Sequence, residues 1–129
     1  MKLKHKNKLE ISLNQKRGIL EFKWKSILED SDSFFEPVLE WINEYGKKPK
    51  NATTVNMFLE YFNTASSKFI MAFLKKLEQM HQSGNTLVRL NWHYEEGDED
   101  MMYMGEEFQD TFNMPVKIIE LEEFDYLAN

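Results

Sequence analysis

Residues 53–84 read TTVNMFLEYFNTASSKFIMAFLKKLEQMHQSG, and the hydrophobic period changes once along them. From Thr53 to Phe62 the chain is β-branched and aromatic, with apolar Val55, Met57, Leu59 and Tyr61 at every second position, the pattern of a strand with one buried face. Asn63-Thr64-Ala65-Ser66-Ser67 breaks the alternation. Phe69, Ile70, Phe73, Leu74, Leu77 and Met80 then form a helical apolar face, and Ser83-Gly84 supplies a C-cap. A strand that runs through small polar residues straight into an amphipathic helix opens an α/β unit.

The flanking sequence extends that unit in both directions. Lys8–Asn14 and Ile19–Lys25 alternate apolar and polar residues around Gly18, which predicts an antiparallel hairpin. Ser33-Phe34-Phe35-Glu36 matches a capping box, and Phe34, Val38, Trp41 and Tyr45 recur at helical spacing up to Gly46. Pro37 suits a helix that begins at Glu36 and costs one early hydrogen bond in a helix that begins at Ser33. Lys47–Ala52 is a polar connection. After the central helix, Thr86–Tyr94 alternates again with Val88, Leu90, Trp92 and Tyr94 on one side. Asp98-Glu99-Asp100 provides a cap and a negative first turn for a helix marked by Met101, Met104, Phe108 and Phe112, which Met114-Pro115 ends. Of the methionines there, Met101 and Met104 fit the buried face and Met102 the exposed one. Val116–Leu121 is a short apolar strand, and the acidic-aromatic tail 122–129 has no clear period. The expected order is β-β-α-β-α-β-α-β: a single α/β domain over 1–129, its core at about 9–121, with a mixed five-stranded sheet, three main helices and right-handed crossovers between neighbouring parallel strands.

Composition narrows the function. A chain of 129 residues with 42% hydrophobic content buries a core unaided, and its lack of cysteine removes disulfides, thiolate metal sites and cysteine nucleophiles. The basic start is not followed by the apolar stretch of a signal peptide, and the longest apolar run, Phe69–Leu74, falls far short of a membrane span, so a cytoplasmic protein without membrane insertion is expected. Residues 1–30 carry eight basic and four acidic side chains, whereas residues 95–129 carry one basic and twelve acidic ones. Such an acidic third argues against general nucleic-acid binding and otherwise reads as a solvated face.

The helix entrance at Asn63, Thr64, Ala65, Ser66, Ser67 and Lys68 is the candidate partner-binding site. Free backbone N–H groups and the helix dipole favour an anion there, so a phosphate on one of these hydroxyls is locally tolerated. Capping by Ser66 or Ser67 explains the hydroxyls equally simply. Lys68, a cation in an early helical turn, opposes the dipole unless it faces a negative group. His93, followed by Glu95, Glu96, Asp98, Glu99 and Asp100, is the one place for a metal or acid–base cluster, but its spacing matches no ligand pattern. His5 and His81 have no evident partner, and neither a nucleophile elbow nor a Gly-rich phosphate loop is present. Neither catalytic activity nor a cofactor or metal is expected.

Tyr61-Phe-Asn-Thr-Ala-Ser-Ser-Lys68, the amphipathic helix after it, Asn85, Trp92-His-Tyr94, the acidic loop, the Glu106-Glu107-Phe108 helix and Phe34-Phe-Glu-Pro-Val-Leu-Glu-Trp41 together resemble the SiaC family over roughly residues 9–121. That family resembles the STAS domains of anti-sigma-factor antagonists in fold, and its members are bacterial phosphoproteins that work by partner switching. The resemblance implies Thr64 as the phosphorylated residue, with Ala65 standing where the family pattern has serine. It further implies a dedicated kinase, a PP2C-type phosphatase and a diguanylate cyclase as target, and so control of cyclic di-GMP and biofilm formation. An anti-sigma-factor antagonist is the alternative within the regulatory class. A small metal-dependent hydrolase using His93 and the acidic loop is the alternative outside it.

Overall fold

The computed structural model describes residues 1–5, 8–25, 32–60 and 62–124. The elements run β1 (Lys2–His5), β2 (Leu9–Asn14), β3 (Ile19–Trp24), α1 (Asp32–Tyr45), β4 (Ala52–Leu59), α2 (Thr64–Gln82), β5 (Leu87–Glu95), α3 (Glu99–Thr111) and β6 (Val116–Leu121). The α/β class, the three helices and the mixed sheet are as expected. The sheet has six strands where five were expected, because β1 has a single aliphatic residue, Leu3, and its sequence therefore lacks an apolar alternation.

Strand order follows chain order from β1 to β6. β1, β2 and β3 pair antiparallel, and β3, β4, β5 and β6 pair parallel. Each parallel crossover steps in the same direction along the sheet, so right-handed connections carry every helix to the same face. The register agrees: Phe22 aligns with Met57, and Met57 with Trp92. Phe22 meets Phe69 and Phe73 of α2, Trp92 meets Phe108 of α3, and Trp24, on the same face of β3, meets Phe35 of α1. Alternate residues of β3–β5 point the other way and are polar in the middle of the sheet, where Glu21, Asn56 and Asn91 stand in line.

Several boundaries differ from expectation. α1 begins at Asp32, ahead of both expected starts, with Pro37 inside it. Proline has no N–H, so the helix ladder lacks the bond that residue 37 would otherwise donate. β4 stops at Leu59, and the expected placement of Tyr61 on its apolar face lies outside the described residues. α2 starts at Thr64, because Asn63 caps it and draws the hydroxyl-rich segment into its first turn. In α3 the cap is Asp98, as expected, and Met101 is buried, while Met102 and Met104 are both half-buried. The buried face of α3 is built on Met101 and Phe108, as expected, with Gly105 rather than Met104 between them.

Two contacts fix the helices against the sheet. At the N-terminal ends of β4 and β5, the Tyr45 hydroxyl lies 2.8 Å from Thr53 Oγ1, which lies 2.7 Å from Thr86 Oγ1. This buried hydroxyl chain satisfies three polar side chains and ties the end of α1 to both strands. On the other side, Trp92 Nε1 donates to the Met101 carbonyl at 2.8 Å and α3 lies close over the indole. A Cβ at Gly105 would stand 2.6 Å from Trp92 Cδ1 and 3.2 Å from Ile118 Cγ1. Gly105→Ala is therefore expected to destabilise the protein by about 1–3 kcal/mol, as an overpacked core residue does. Urea unfolding checks this, and an unchanged midpoint would show that α3 is not held at this distance.

Candidate functional site

β4 delivers the chain to Asn63, whose extended backbone (φ −134°, ψ −175°) turns it into α2. Asn63 and Ser66 form a reciprocal capping box. The Ser66 backbone N–H donates to Asn63 Oδ1 at 2.9 Å, and the Asn63 backbone N–H donates to Ser66 Oγ at 2.8 Å. Ser66 Oγ also donates to the Asn63 carbonyl at 3.1 Å, and the Ser67 N–H donates to the same carbonyl at 2.8 Å. The cap of α2 is thus Asn63; Ser66 is its partner one turn on, and Ser67 is an ordinary first-turn residue. Sequence reading placed the capping role on the serines because asparagine and serine compete for the same position.

This arrangement separates the hydroxyls. Ser66 is fully buried (0% exposed), and its oxygen already accepts one hydrogen bond and donates another. Ser67 is half-buried, while Thr64, Ala65 and Lys68 are exposed. Among the described residues, nothing hydrogen-bonds to the Thr64 hydroxyl or pairs with the Lys68 ammonium. The first turn of α2 contains no acidic residue, so its positive end is not offset by a side chain of its own.

Thr64, Ala65 and Lys68 line a cleft of about 540 Å³ between α2 and α1. Its floor is the Phe35–Phe69 pair, stacked with centroids 4.2 Å apart and planes at 7°. Glu36 and Leu39 of α1 form the opposite wall. A second depression of about 300 Å³ shares Leu39 and Ala72 with the first, so the groove continues along both helices, with Lys75 and Lys76 at its far end. Phe35, Glu36 and Leu39 were legible as helix residues but not as part of the site. Their helical spacing was visible, but which face of α1 meets α2 is set by packing between segments far apart in the chain.

The other candidate cluster is not assembled. His93 lies on the open face of β5, stacked on Phe58 with centroids 3.9 Å apart, and its Nδ1 is 3.1 Å from the Met57 carbonyl oxygen. Partial burial holds its pKa below the ordinary 6.5, opposed by hydrogen bonding to the Met57 and Asn91 backbones and by the charge of Glu21. Asp98 is spent on capping α3. Among the described residues, no group of three or more histidines and carboxylates is placed to hold a metal. His81 Nδ1 accepts from the Val88 N–H at 3.0 Å, and His5 packs edge-on against Phe34. No helix among the described residues is long and apolar enough to cross a membrane.

These features define a one-sided α/β domain whose notable surface is a groove edged by an exposed hydroxyl, an arrangement suited to binding a partner. Residues 3–121 match the family model described as SiaC family regulatory phosphoprotein, and the chain belongs to that family. It is accordingly a regulatory protein and not an enzyme. An uncharacterized protein of Pseudomonas aeruginosa (strain UCBPP-PA14) is 32% identical over 101 residues, covering 78% of this chain and 79% of that protein. Among solved structures, one chain in the crystal structure of diguanylate cyclase SiaD in complex with its activator SiaC from Pseudomonas aeruginosa superposes with a TM-score of 0.85 at 27% identity, covering 94% of this chain and 99% of that one. The apo-SiaC crystal structure from the same organism gives a TM-score of 0.79 at 27% identity, covering 92% and 98%.

The capping box has its own expected signature. Asn63→Ala removes the side-chain acceptor for the Ser66 N–H and should cost about 1 kcal/mol. Asn63→Asp, which keeps an acceptor, should cost much less. Thermal unfolding of the two variants checks this, and equal losses would show that the cap does not hold the start of α2.

Proposed function

We propose that this chain is a phosphorylation-controlled binding protein, with Thr64 as the acceptor and the α1–α2 groove as the surface that the phosphate closes. The observation that carries this reading is the contrast at the start of α2: Thr64 is exposed at the rim of an apolar groove, and Ser66 is buried with its oxygen engaged. A kinase reaching this turn meets the Thr64 hydroxyl first. Phosphorylating Ser66 would require opening the cap.

The unmodified groove offers Phe35, Leu39, Ala65, Phe69 and Ala72 to a partner, with Lys68, Lys75 and Lys76 along the α2 side. An amphipathic helix laid between α1 and α2 would bury this floor and place its acidic residues by the lysines. Ala65, which replaces a serine of the family pattern, keeps the lip apolar. A phosphate at Thr64 adds about −1.5 to −2 charges and oxygens that demand water or donors. Lys68, one helical turn on, offsets part of that charge, whereas Glu36 across the groove repels it. A partner seated there would lose its apolar contacts and strand the phosphate in a dry interface, so modification releases it.

The SiaD–SiaC complex supports a diguanylate cyclase as that partner. The cycle is completed by a kinase and a PP2C-type phosphatase acting on Thr64, and its output is the level of cyclic di-GMP and, through it, biofilm formation in the cytoplasm's signalling network.

Two measurements test this. Phosphopeptide mass spectrometry on protein from native cells, with and without the PP2C-type phosphatase, should find phosphate on Thr64 and increased occupancy when the phosphatase is missing; an unmodified loop under both conditions overturns the reading. In binding assays with the cognate diguanylate cyclase, Thr64→Ala should bind like the wild type and Thr64→Asp at least about tenfold more weakly, a difference of about 1.4 kcal/mol. Equal affinity of all three proteins would remove the phosphate from the mechanism.

A further inference from the structure

The open face of the sheet has a feature that the Thr64 groove does not use. Along its middle, Asn56 Nδ2 donates to Glu21 Oε2 at 3.2 Å and Asn91 Nδ2 donates to Asn56 Oδ1 at 2.9 Å, a polar ladder across three strands. One step toward the C-terminal ends of the parallel strands, the row becomes Lys23, Phe58, His93 and Ile119. There the Phe58 and His93 rings stack nearly parallel, and Lys23 Nζ stands 5.8 Å from the Phe58 centroid.

The chain after β6 turns back onto this group. Phe124, three residues past the last strand, is only 7% exposed. Its ring meets Phe58 edge-on, with centroids 5.6 Å apart and planes at 87°, and its N–H donates to Glu95 Oε2 at 2.9 Å. The Glu96 N–H in turn donates to the Leu121 carbonyl at 2.7 Å. A phenylalanine so placed is held by specific contacts, since burying such a ring is worth about 1.5–3 kcal/mol.

We infer that Glu122–Phe124 is a clip on the open sheet face, closed while His93 is neutral and opened when His93 takes a proton. With the clip closed, Phe124 packs on the edge of Phe58, whose ring covers one face of the half-buried His93, and a neutral imidazole donates its Nδ1–H to the Met57 carbonyl. An imidazolium has a second N–H to satisfy and a charge to hydrate. It also competes for Glu95, two residues along the same face of β5, whose carboxylate otherwise holds the Phe124 N–H.

Among the described residues, the charged groups on the His93 face of the neighbouring strands are Glu21 and Lys23 from β3, Lys117 from β6 and Glu95 from its own strand, and the clip adds Glu122 and Glu123 nearby in the chain. Glu21 favours the protonated ring, but burial is the larger effect and lowers the pKa. The sign follows: the closed form binds the proton more weakly than the open form, so closure is at full strength above the open-state value and weakens as pH falls through it toward the lowered value. Opening would remove the edge-on Phe124 contact from Phe58, near the end of β4 that leads to Asn63 and Thr64.

The test is an NMR titration of the isotope-labelled full chain between about pH 5 and 8, following the His93 ring and the Phe124 amide in wild type, Phe124→Ala, Phe124→Leu and His93→Gln. In wild type the two signals should move together with a midpoint below 6.5. Phe124→Ala should raise the His93 midpoint toward 6.5, Phe124→Leu should keep it low, and His93→Gln should leave the Phe124 amide insensitive to pH over the range. The same His93 midpoint in wild type and Phe124→Ala, or a Phe124 amide that ignores the His93 titration, overturns the inference. None of these readouts depends on Thr64 phosphorylation, so the clip and the groove mechanism stand or fall separately.

Discussion

The stacked rings of Phe35 and Phe69 fix α1 against α2, and most of the arrangement around the site follows from them. Phe35 also meets Trp24, Phe69 also meets Phe22 and Phe73, and so one run of aromatic contacts joins β3 to both helices. Each aromatic pair contributes about 0.5–1.5 kcal/mol beyond the area it buries. A ring pair at 4.2 Å also leaves little room for α1 to slide along α2. The groove is thus a preformed surface whose floor is the top of the core. A partner docking there, as proposed, would meet a surface already in place and would lose little free energy in ordering it.

The second constraint is the way α2 begins. A helix entrance has several unpartnered N–H groups, and this one satisfies part of its need with Asn63 and Ser66 alone. That choice leaves Thr64 and Lys68 outside the hydrogen-bond network. If phosphate were added to Ser66, the protein would lose a cap worth about 0.5–2 kcal/mol and would have to hydrate a buried dianion, with no buried cation among the described residues to offset it. Added to Thr64, the same phosphate stays in solvent, at a positive helix end, one turn from a lysine. On the proposed reading, modification at Thr64 would thus be kept apart from the Asn63–Ser66 pair that holds the start of the helix.

Much of this was legible in the sequence, and the limits have physical causes. The hairpin, the three helices, the parallel crossovers and the cap at Asp98 could be read because each is specified by local periodicity or by one residue type at one position. The segment 63–68 was legible as a helix entrance, and the family pattern pointed to Thr64 within it. What local pattern could not give was the division of labour among Asn63, Thr64 and Ser66, since all three are competent caps and only backbone geometry assigns the role. β1 was missed because an edge strand with one inward aliphatic residue needs no alternation. Glu36 and the floor of the groove were missed because they are properties of two helices brought together. His93 was visible as a histidine before an acidic loop whose spacing matches no ligand pattern, but its partners, Phe58 and the Met57 carbonyl, come from the neighbouring strand and leave no local signal.

The one-sided sheet gives the molecule two unlike surfaces joined by a single strand. β4 places Val55, Met57 and Leu59 in the core and Asn56 and Phe58 on the open face, then leads within a few residues to the cap of α2. Whatever holds Phe58 from the open side therefore bears on the same strand end that aims Asn63. A rigid sheet transmits such a constraint poorly along its middle, where the Glu21–Asn56–Asn91 ladder and the core pin β4 from both faces, and better at its end, where pairing stops at Leu59. Phe124 packs at that end, on the open side of the strand that leads to α2.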